Sequence, residues 1–342
     1  MNLHDFYFDL PPSLIAQTPS KVRGEDKLLV LDKKTGAFKD DVFSSLPDLL
    51  PKNAVLVFNN SKVRHSRLFG RESENAPLIE FLLIKTLDDG TTWEILSPKM
   101  KKLKIESSFS FAEGIKAKII QGDNNDKLLQ FEKALDDVIL EKIGHVPLPP
   151  YIKREDTNED TARYQTVYAS VMGSIACPTA GLHFTEDVIN KIKMKGIDVL
   201  YITLHVGLGT FLPVREEKIE EHKMHREDFF ISKEVAAFIN EAKKCGRPII
   251  ACGTTSARTL EAAWNAKTGM LESGDKSTDI FIYPPYTFNV VDGLVTNFHT
   301  PESTLLMLVS AFCSREKILC AYQHAIEKSY KFFSYGDAML II

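Results

Sequence analysis

Apolar and polar positions along the chain alternate in three different ways. Residues 27–32 (Lys-Leu-Leu-Val-Leu-Asp) and 54–58 (Ala-Val-Leu-Val-Phe) are apolar runs of strand length, and the second leads straight into Asn59 and Asn60. From about 62 to 145 the pattern becomes short alternating runs at 78–84, 92–96, 109–111, 117–120 and 127–131, with Gly, Asp and Asn between them. This predicts a small antiparallel barrel or sandwich. The stretch HVPLPPY (145–151) cannot be helical, because its prolines remove donors and hold the backbone extended, so it reads as a linker. Beyond it, helical patterns at 186–195, 232–245, 256–266, 301–312 and 317–330 alternate with β-rich runs at 199–205, 248–252 and 277–282. That alternation signals an α/β layer. Thr300, Pro301 and Glu302 are placed as N-cap, first-turn proline and first-turn acid of the last long apolar helix. The expected organisation is an α/β domain formed by residues 1–60 and 146–342, interrupted by a β domain at 61–145.

Five blocks follow neither period: 163–185, 203–214, 222–227, 252–261 and 296–312. They spend polar atoms at irregular intervals among small residues, where strands end and helices begin, the place at which open α/β sheets bind ligands. Together they imply an enzyme. Histidine suits proton transfer near neutral pH, which makes His183, His205, His222, His225 and His299 candidates. His205 precedes Gly207 and Gly209, where backbone can approach a ligand closely, and His183 follows a Pro178 to Gly181 turn that contains Thr179. His222 and His225 read as a hydrogen-bonded pair rather than metal ligands. Gly253, Thr254, Thr255 and Ser256 present hydroxyls and N–H groups at a helix start, a geometry suited to an anion, with Arg258 one turn inside as a partner. In the final block, Phe332 and Phe333 read equally well as core, whereas Tyr335 and Asp337 are candidate ligand contacts. Asn297 joins them from the 296–312 block.

Composition changes this picture little. At 342 residues two domains are expected. A net charge of −4 argues against a nucleic-acid partner on average but not locally: Lys99, Lys101, Lys102 and Lys104 lie close together, as do Arg64, Arg67 and Arg71. Arg67, Arg154, Arg163 and Tyr164 are candidate contacts for an RNA backbone. The five cysteines form no CxxC pair and no zinc spacing, so no metal is expected and free thiols in a reducing compartment are. Cys177 reads as a small buried residue. With no leader-like N-terminus and no membrane-length apolar run, a cytoplasmic location is expected. No nicotinamide fingerprint or P-loop is present.

Nine segments carry a resemblance to a known family: VFN (57–59), HVPLPPYI (145–152), RYQTVYA (163–169), PTAGLHFT (178–185), HVGLGTF (205–211), HKMHRE (222–227), GTTSARTLE (253–261), TNFHTPESTLLMLVSAF (296–312) and FFSYGDAMLI (332–341). In this order they resemble the S-adenosylmethionine:tRNA ribosyltransferase-isomerases of queuosine biosynthesis. The resemblance implies a mixed-sheet α/β domain with an inserted six-stranded antiparallel β-barrel. It also implies transfer and isomerisation of the ribosyl part of S-adenosylmethionine onto 7-aminomethyl-7-deazaguanine at the wobble position of a tRNA with a GUN anticodon. The product is epoxyqueuosine-tRNA, with adenine and methionine released. S-adenosylmethionine is then a consumed co-substrate and no resident cofactor is needed. A monomer or weak homodimer, free of membranes, is expected. The chain departs from the family pattern at Asn60 (usually Asp), Cys177 and Leu208 (Ala), Pro285 (Gly) and Thr300 (Leu).

Two other classes compete. A tRNA-binding module without chemistry leaves the histidines in glycine turns unexplained. A small-molecule S-adenosylmethionine enzyme of the methyltransferase type calls for a glycine-rich first strand-to-helix loop, which residues 27–60 do not contain.

Overall fold

The computed structural model describes residues 1–123, 125–207 and 214–342. Its frame is a nine-stranded mixed sheet. Asp198–Leu204, Val55–Asn59, Ile249–Cys252 and Gly293–Asn297 lie side by side and parallel. Ala338–Ile341 runs antiparallel to Gly293–Asn297, followed by Lys27–Leu31 and, at one edge, Phe38–Val42. Glu227–Ile231 and Gly274–Thr278 complete the other edge antiparallel.

A parallel strand must be covered on both faces, and Val55–Asn59 is buried throughout. Side chains alternate across it: Val55 and Val57 join a core with helices Lys233–Lys244, Thr254–Ala263, Thr304–Ala311 and Arg315–Glu327, whereas Leu56 and Phe58 join Glu186–Met194 on the opposite face. Thr185, Ser232, Ser303 and Ser314 each cap a helix through the side-chain oxygen. The last apolar helix therefore begins later than the sequence suggested. Glu302 takes a left-handed φ of 57°, which interrupts any helix from 301, and Ser303, not Thr300, is the cap. The β-rich run expected at 277–282 is displaced to the edge strand Gly274–Thr278.

The second unit is a six-stranded antiparallel sheet in the order Arg67–Gly70, Ile79–Thr86, Thr92–Leu96, Lys127–Phe131, Lys116–Gln121, Ser108–Ser110. Two backbone bonds between Arg71 and Ser110, at 3.1 and 2.9 Å, join its end strands into a barrel. Trp93, Phe81, Phe109, Phe111 and Phe131 fill the interior. Strand Ser61–Val63 pairs with Val171–Ser174, so the chain crosses into the barrel at residues 64–66 rather than at 61. It returns where Arg67 and His145 exchange backbone bonds at 3.3 and 2.8 Å.

The stretch 145–151 is extended as expected but is not a free linker. Val146 and Ile152 are buried with Tyr164, Cys177 and Tyr335, and the Gln17 carboxamide bridges the Tyr151 carbonyl (3.0 Å) and the Lys153 N–H (2.9 Å). No helix among the described residues is long and apolar enough to cross a membrane.

Candidate functional site

At the carboxyl edge of the parallel strands the sheet opens into a narrow cleft of about 90 Å³. Strand Ile249–Cys252 turns into helix Thr254–Ala263 through Gly253, whose φ of 87° suits glycine and allows a turn of one residue. The helix has no side-chain cap, and its first internal bond is Ala257 N–H to the Gly253 carbonyl at 3.2 Å. The N–H groups of Thr254, Thr255 and Ser256 are thus left for another partner. Of these residues Thr254 and Thr255 line the cleft, whereas Ser256 is fully buried and donates to the Cys252 carbonyl at 2.8 Å.

Strand Gly293–Asn297 contributes the facing wall. Asn297 is 2% exposed and lines the cleft. Its Nδ2 donates to the Phe333 carbonyl at 3.0 Å and lies 3.1 Å from His183 Nε2. The Phe333 carbonyl can only accept, so Nδ2 must face it, and His183 Nε2 is therefore the acceptor of the second Nδ2 hydrogen. That leaves His183 with its proton on Nδ1, donated to Asp26 Oδ2 at 2.7 Å. Burial pushes the Asp26 carboxyl up, but the hydrogen bonds from His183 and Ser20 and the nearby positive charges together outweigh it, and the net shift is downward. Both nitrogens of His183 are committed inside the protein. It stands behind the cleft wall rather than in it.

His299, 8% exposed, does line the cleft. Its Nε2 lies 2.8 Å from Thr296 Oγ1, and that hydroxyl also reaches the Asn297 carbonyl at 3.2 Å. One hydroxyl proton serves both contacts only if Thr296 donates to the carbonyl and accepts from Nε2–H. Nδ1 then keeps a lone pair. Burial pushes this imidazole down to about 3, so it is neutral at any physiological pH.

Tyr151 and Phe333 form the aromatic side of the cleft, with ring centroids 4.7 Å apart. The Tyr151 hydroxyl bonds Ser334 Oγ and, at 3.3 Å, the Ser334 N–H; burial pushes the phenol up to about 12. Thr179, Cys177, Ala176, Ala180, Val206 and Leu305 supply the rest. Burial pushes the Cys177 thiol far up, which keeps it protonated and removes it as a nucleophile.

The cleft thus unites Thr179, Thr254, Thr255 and Asn297 with Phe333, which read equally well as core, and with Tyr151 and Ser334, which the sequence did not single out. Other candidates lie elsewhere. Val206 faces the cleft, and His205 instead lines a separate hollow with Thr203, Arg226, Asp228 and Lys276. Its ring packs on Gly173, where an added Cβ would meet it at 2.7 Å, and burial followed by the charge of Arg64 lowers its pKa. His225 is exposed, and His222 pairs with Glu216 at 3.0 Å, not with His225. The Gly207 N–H is taken by Glu227 Oε1 at 3.1 Å, and the other oxygen of Glu227 binds Arg258, both side chains being buried. Arg258 is thereby occupied by a carboxylate of the protein itself. Gly209 lies outside the described residues.

The final block reverses its expected assignment. Asp337 caps the N–H groups of Lys27 (2.7 Å) and Lys331 (2.6 Å), and the Tyr335 hydroxyl binds buried Asp160 at 2.7 Å. The candidate RNA contacts are also engaged internally. Tyr164 is fully buried, which rules it out as a surface contact. Arg154 forks onto Asp160 at 2.6 and 2.8 Å, Arg163 donates to the Ser20 carbonyl at 2.8 Å, and Arg67 forks onto Glu80 at 2.9 and 3.1 Å.

Comparison with known proteins agrees over the whole chain. Residues 3–341 match the model of a family described as queuosine biosynthesis protein. The chain is 57% identical to an S-adenosylmethionine:tRNA ribosyltransferase-isomerase of Treponema denticola over 99% of both chains, and 48% identical to one from a Thermoanaerobacter species over the full length of both. A crystal structure of an S-adenosylmethionine tRNA ribosyltransferase from Thermotoga maritima, 34% identical, superposes with a TM-score of 0.55 and covers 99% of this chain and 100% of its own. The mixed sheet, the inserted barrel and this full-length kinship place the chain in the queuosine biosynthesis protein family.

Proposed function

We infer that this protein is an S-adenosylmethionine:tRNA ribosyltransferase-isomerase: it moves and isomerises the ribosyl part of S-adenosylmethionine onto 7-aminomethyl-7-deazaguanine at the wobble position of tRNA, releasing adenine and methionine. The observation that carries the placement of the sulfonium substrate is the cleft, where an uncapped helix start, a buried carboxamide and an aromatic pair converge within one concave site. S-adenosylmethionine is consumed there as a co-substrate, and no resident cofactor enters the reaction.

The positive sulfur acidifies the neighbouring C5′ hydrogens, and loss of one prepares opening of the sugar and departure of adenine. A neutral base on the cleft wall is required. His299 is the histidine that lines the cleft, with Nε2–H tied to Thr296 and Nδ1 bearing the lone pair, and burial that holds its pKa near 3 makes it a weak base. Tyr151 and Phe333 offer faces on which adenine or the wobble base can stack.

The RNA is a tRNA with a GUN anticodon, the substrate of a cytoplasmic enzyme that is monomeric or weakly dimeric. Its docking surface is assigned to the barrel. Lys99, Lys101, Lys102 and Lys104 are exposed around the Met100–Lys102 turn, and the Lys127 ammonium holds that turn by donating to the carbonyls of Met100 (2.9 Å) and Leu103 (2.5 Å).

The test is release of adenine and methionine from S-adenosylmethionine with and without tRNA carrying 7-aminomethyl-7-deazaguanine, followed by mass analysis of the nucleosides. Stoichiometric release and a wobble nucleoside converted to epoxyqueuosine are expected. Methyl transfer, or release indifferent to tRNA, would overturn the reading.

A further inference from the structure

Asn297 Oδ1 is buried and has no hydrogen-bond partner among the described residues. An orphaned buried acceptor is costly, and three features prevent this carboxamide from turning to find a donor. The Phe333 carbonyl at 3.0 Å and His183 Nε2 at 3.1 Å both take hydrogens from Nδ2, and the His183 tautomer that permits this is locked by Asp26 at 2.7 Å. Asp26, His183 and Asn297 are all buried, so the relay is fixed by packing as well as by hydrogen bonds. The carboxamide is held in the orientation that keeps Oδ1 unpaired, in a residue that lines the cleft. The same cleft contains the start of the ten-residue helix Thr254–Ala263, where backbone N–H groups lack partners and Thr255 Oγ1 is another buried polar atom without one. One wall asks for a donor and the other for an anion.

We propose that the cleft is an α-amino-acid subsite, in which the ligand's carboxylate lies on the N–H groups of Thr254 and Thr255 and its α-ammonium donates to Asn297 Oδ1. This rests on the reading of the cleft as the S-adenosylmethionine site and specifies which end of that molecule it holds: the methionyl end. Asp26 and His183 are positioning residues. They touch no ligand, and they set the tautomer that keeps the Asn297 carbonyl oxygen free.

The experiment is calorimetric binding to the intact protein of S-adenosylhomocysteine, its decarboxylated and deaminated analogues, and methylthioadenosine, which has no amino-acid end. Binding of S-adenosylhomocysteine at least ~10-fold tighter than each truncated analogue, about 1.4 kcal/mol per lost group, is expected. Methylthioadenosine binding as tightly as S-adenosylhomocysteine would overturn the subsite. Failure of the wild type to bind any of the four would instead count against S-adenosylmethionine as substrate, so the two readings fail separately. The relay is read with His183→Asn: affinity for S-adenosylhomocysteine falls and affinity for methylthioadenosine is unchanged, whereas a merely structural role would lower both. In the wild type, nitrogen-15 chemical shifts report His183 as neutral with its proton on Nδ1, and a cationic imidazole there would refute the relay.

Discussion

Asn297 Nδ2 donates to the carbonyl of Phe333 at 3.0 Å, and Phe333 sits in the left-handed region at φ 75°. A bulky residue adopts that conformation at a cost of about 1–2 kcal/mol, and the bonds at its carbonyl and at its N–H, which donates to the Phe298 carbonyl at 3.0 Å, hold it there. The strain places an aromatic ring beside Tyr151 on the cleft wall.

Replacing Phe333 separates the ring from the strain. Phe333→Ala and Phe333→Gly both remove the stacking face, so both should raise KM for S-adenosylmethionine by ~10-fold or more, given about 0.5–1.5 kcal/mol for an aromatic pair plus the area lost. Only glycine also relieves the backbone. In urea melts Phe333→Gly should therefore be more stable than Phe333→Ala by about 1 kcal/mol. Equal stability would mean that the left-handed backbone is not strained.

His299→Gln retains a neutral polar side chain and loses the lone pair at the base position. Adenine release should drop, but by less than the roughly 10²–10⁴ of a base tuned to the working pH because burial holds this imidazole low, with KM for S-adenosylmethionine little changed. The same variant carries a stability signature. The folded imidazole titrates near 3 and the unfolded one near 6.5, so between those values only the unfolded chain binds the proton. Stability conferred by a neutral His299 is present above pH 6.5 and is lost as pH falls toward 3. His205, also lowered by burial, adds to the slope in the same direction. Stability of His299→Gln measured by urea denaturation from pH 7 to pH 4 should fall less steeply than that of the wild type.

Arg258 was an anion partner in the sequence and is half of a buried ion pair in the structure. Its guanidinium binds Glu227, whose other oxygen receives the Gly207 N–H at 3.1 Å. Removing one buried charge strands the other, so Arg258→Ala should cost about 3–5 kcal/mol in equilibrium unfolding, whereas Arg258→Met with Glu227→Leu should recover most of it. A stable Arg258→Ala with weakened ligand binding would restore the anion-site assignment.

Much of the frame was legible because its signals are local. Apolar runs at 27–32 and 54–58 became buried strands, and Ser232 before a 3.6-period stretch became a cap. Strand Glu227–Ile231 carried a period-two burial pattern that the polar block around it masked. The site was less legible, because the sequence names residue types and the fold decides which way they face. Val206 and its neighbour His205 point to different hollows, a difference of one position on an extended chain. Asp337 and Tyr335 looked chemical but satisfy backbone N–H groups and buried Asp160, while Phe333, for which core packing was an equal reading, lines the cleft. Positive φ at a phenylalanine leaves no trace in composition.

The barrel lysines provide the remaining prediction. Lys101 and Lys102 are exposed on a turn that the Lys127 ammonium fixes from beneath, so removing their charges should not disturb the barrel core of Trp93, Phe81 and Phe109. If the turn meets RNA phosphates, Lys101→Ala with Lys102→Ala should weaken tRNA binding by ~10-fold at moderate salt. Each contact contributes a slope of roughly 0.7–0.9 to the dependence of log affinity on log salt, so two contacts should lower that slope by about 1.5. KM for S-adenosylmethionine should stay at the wild-type value, because the cleft shares no lining residue with the turn. Filter binding across a salt series decides the matter: an unchanged slope would move the RNA surface away from the barrel, while loss of both substrates together would point to misfolding rather than to lost phosphate contacts.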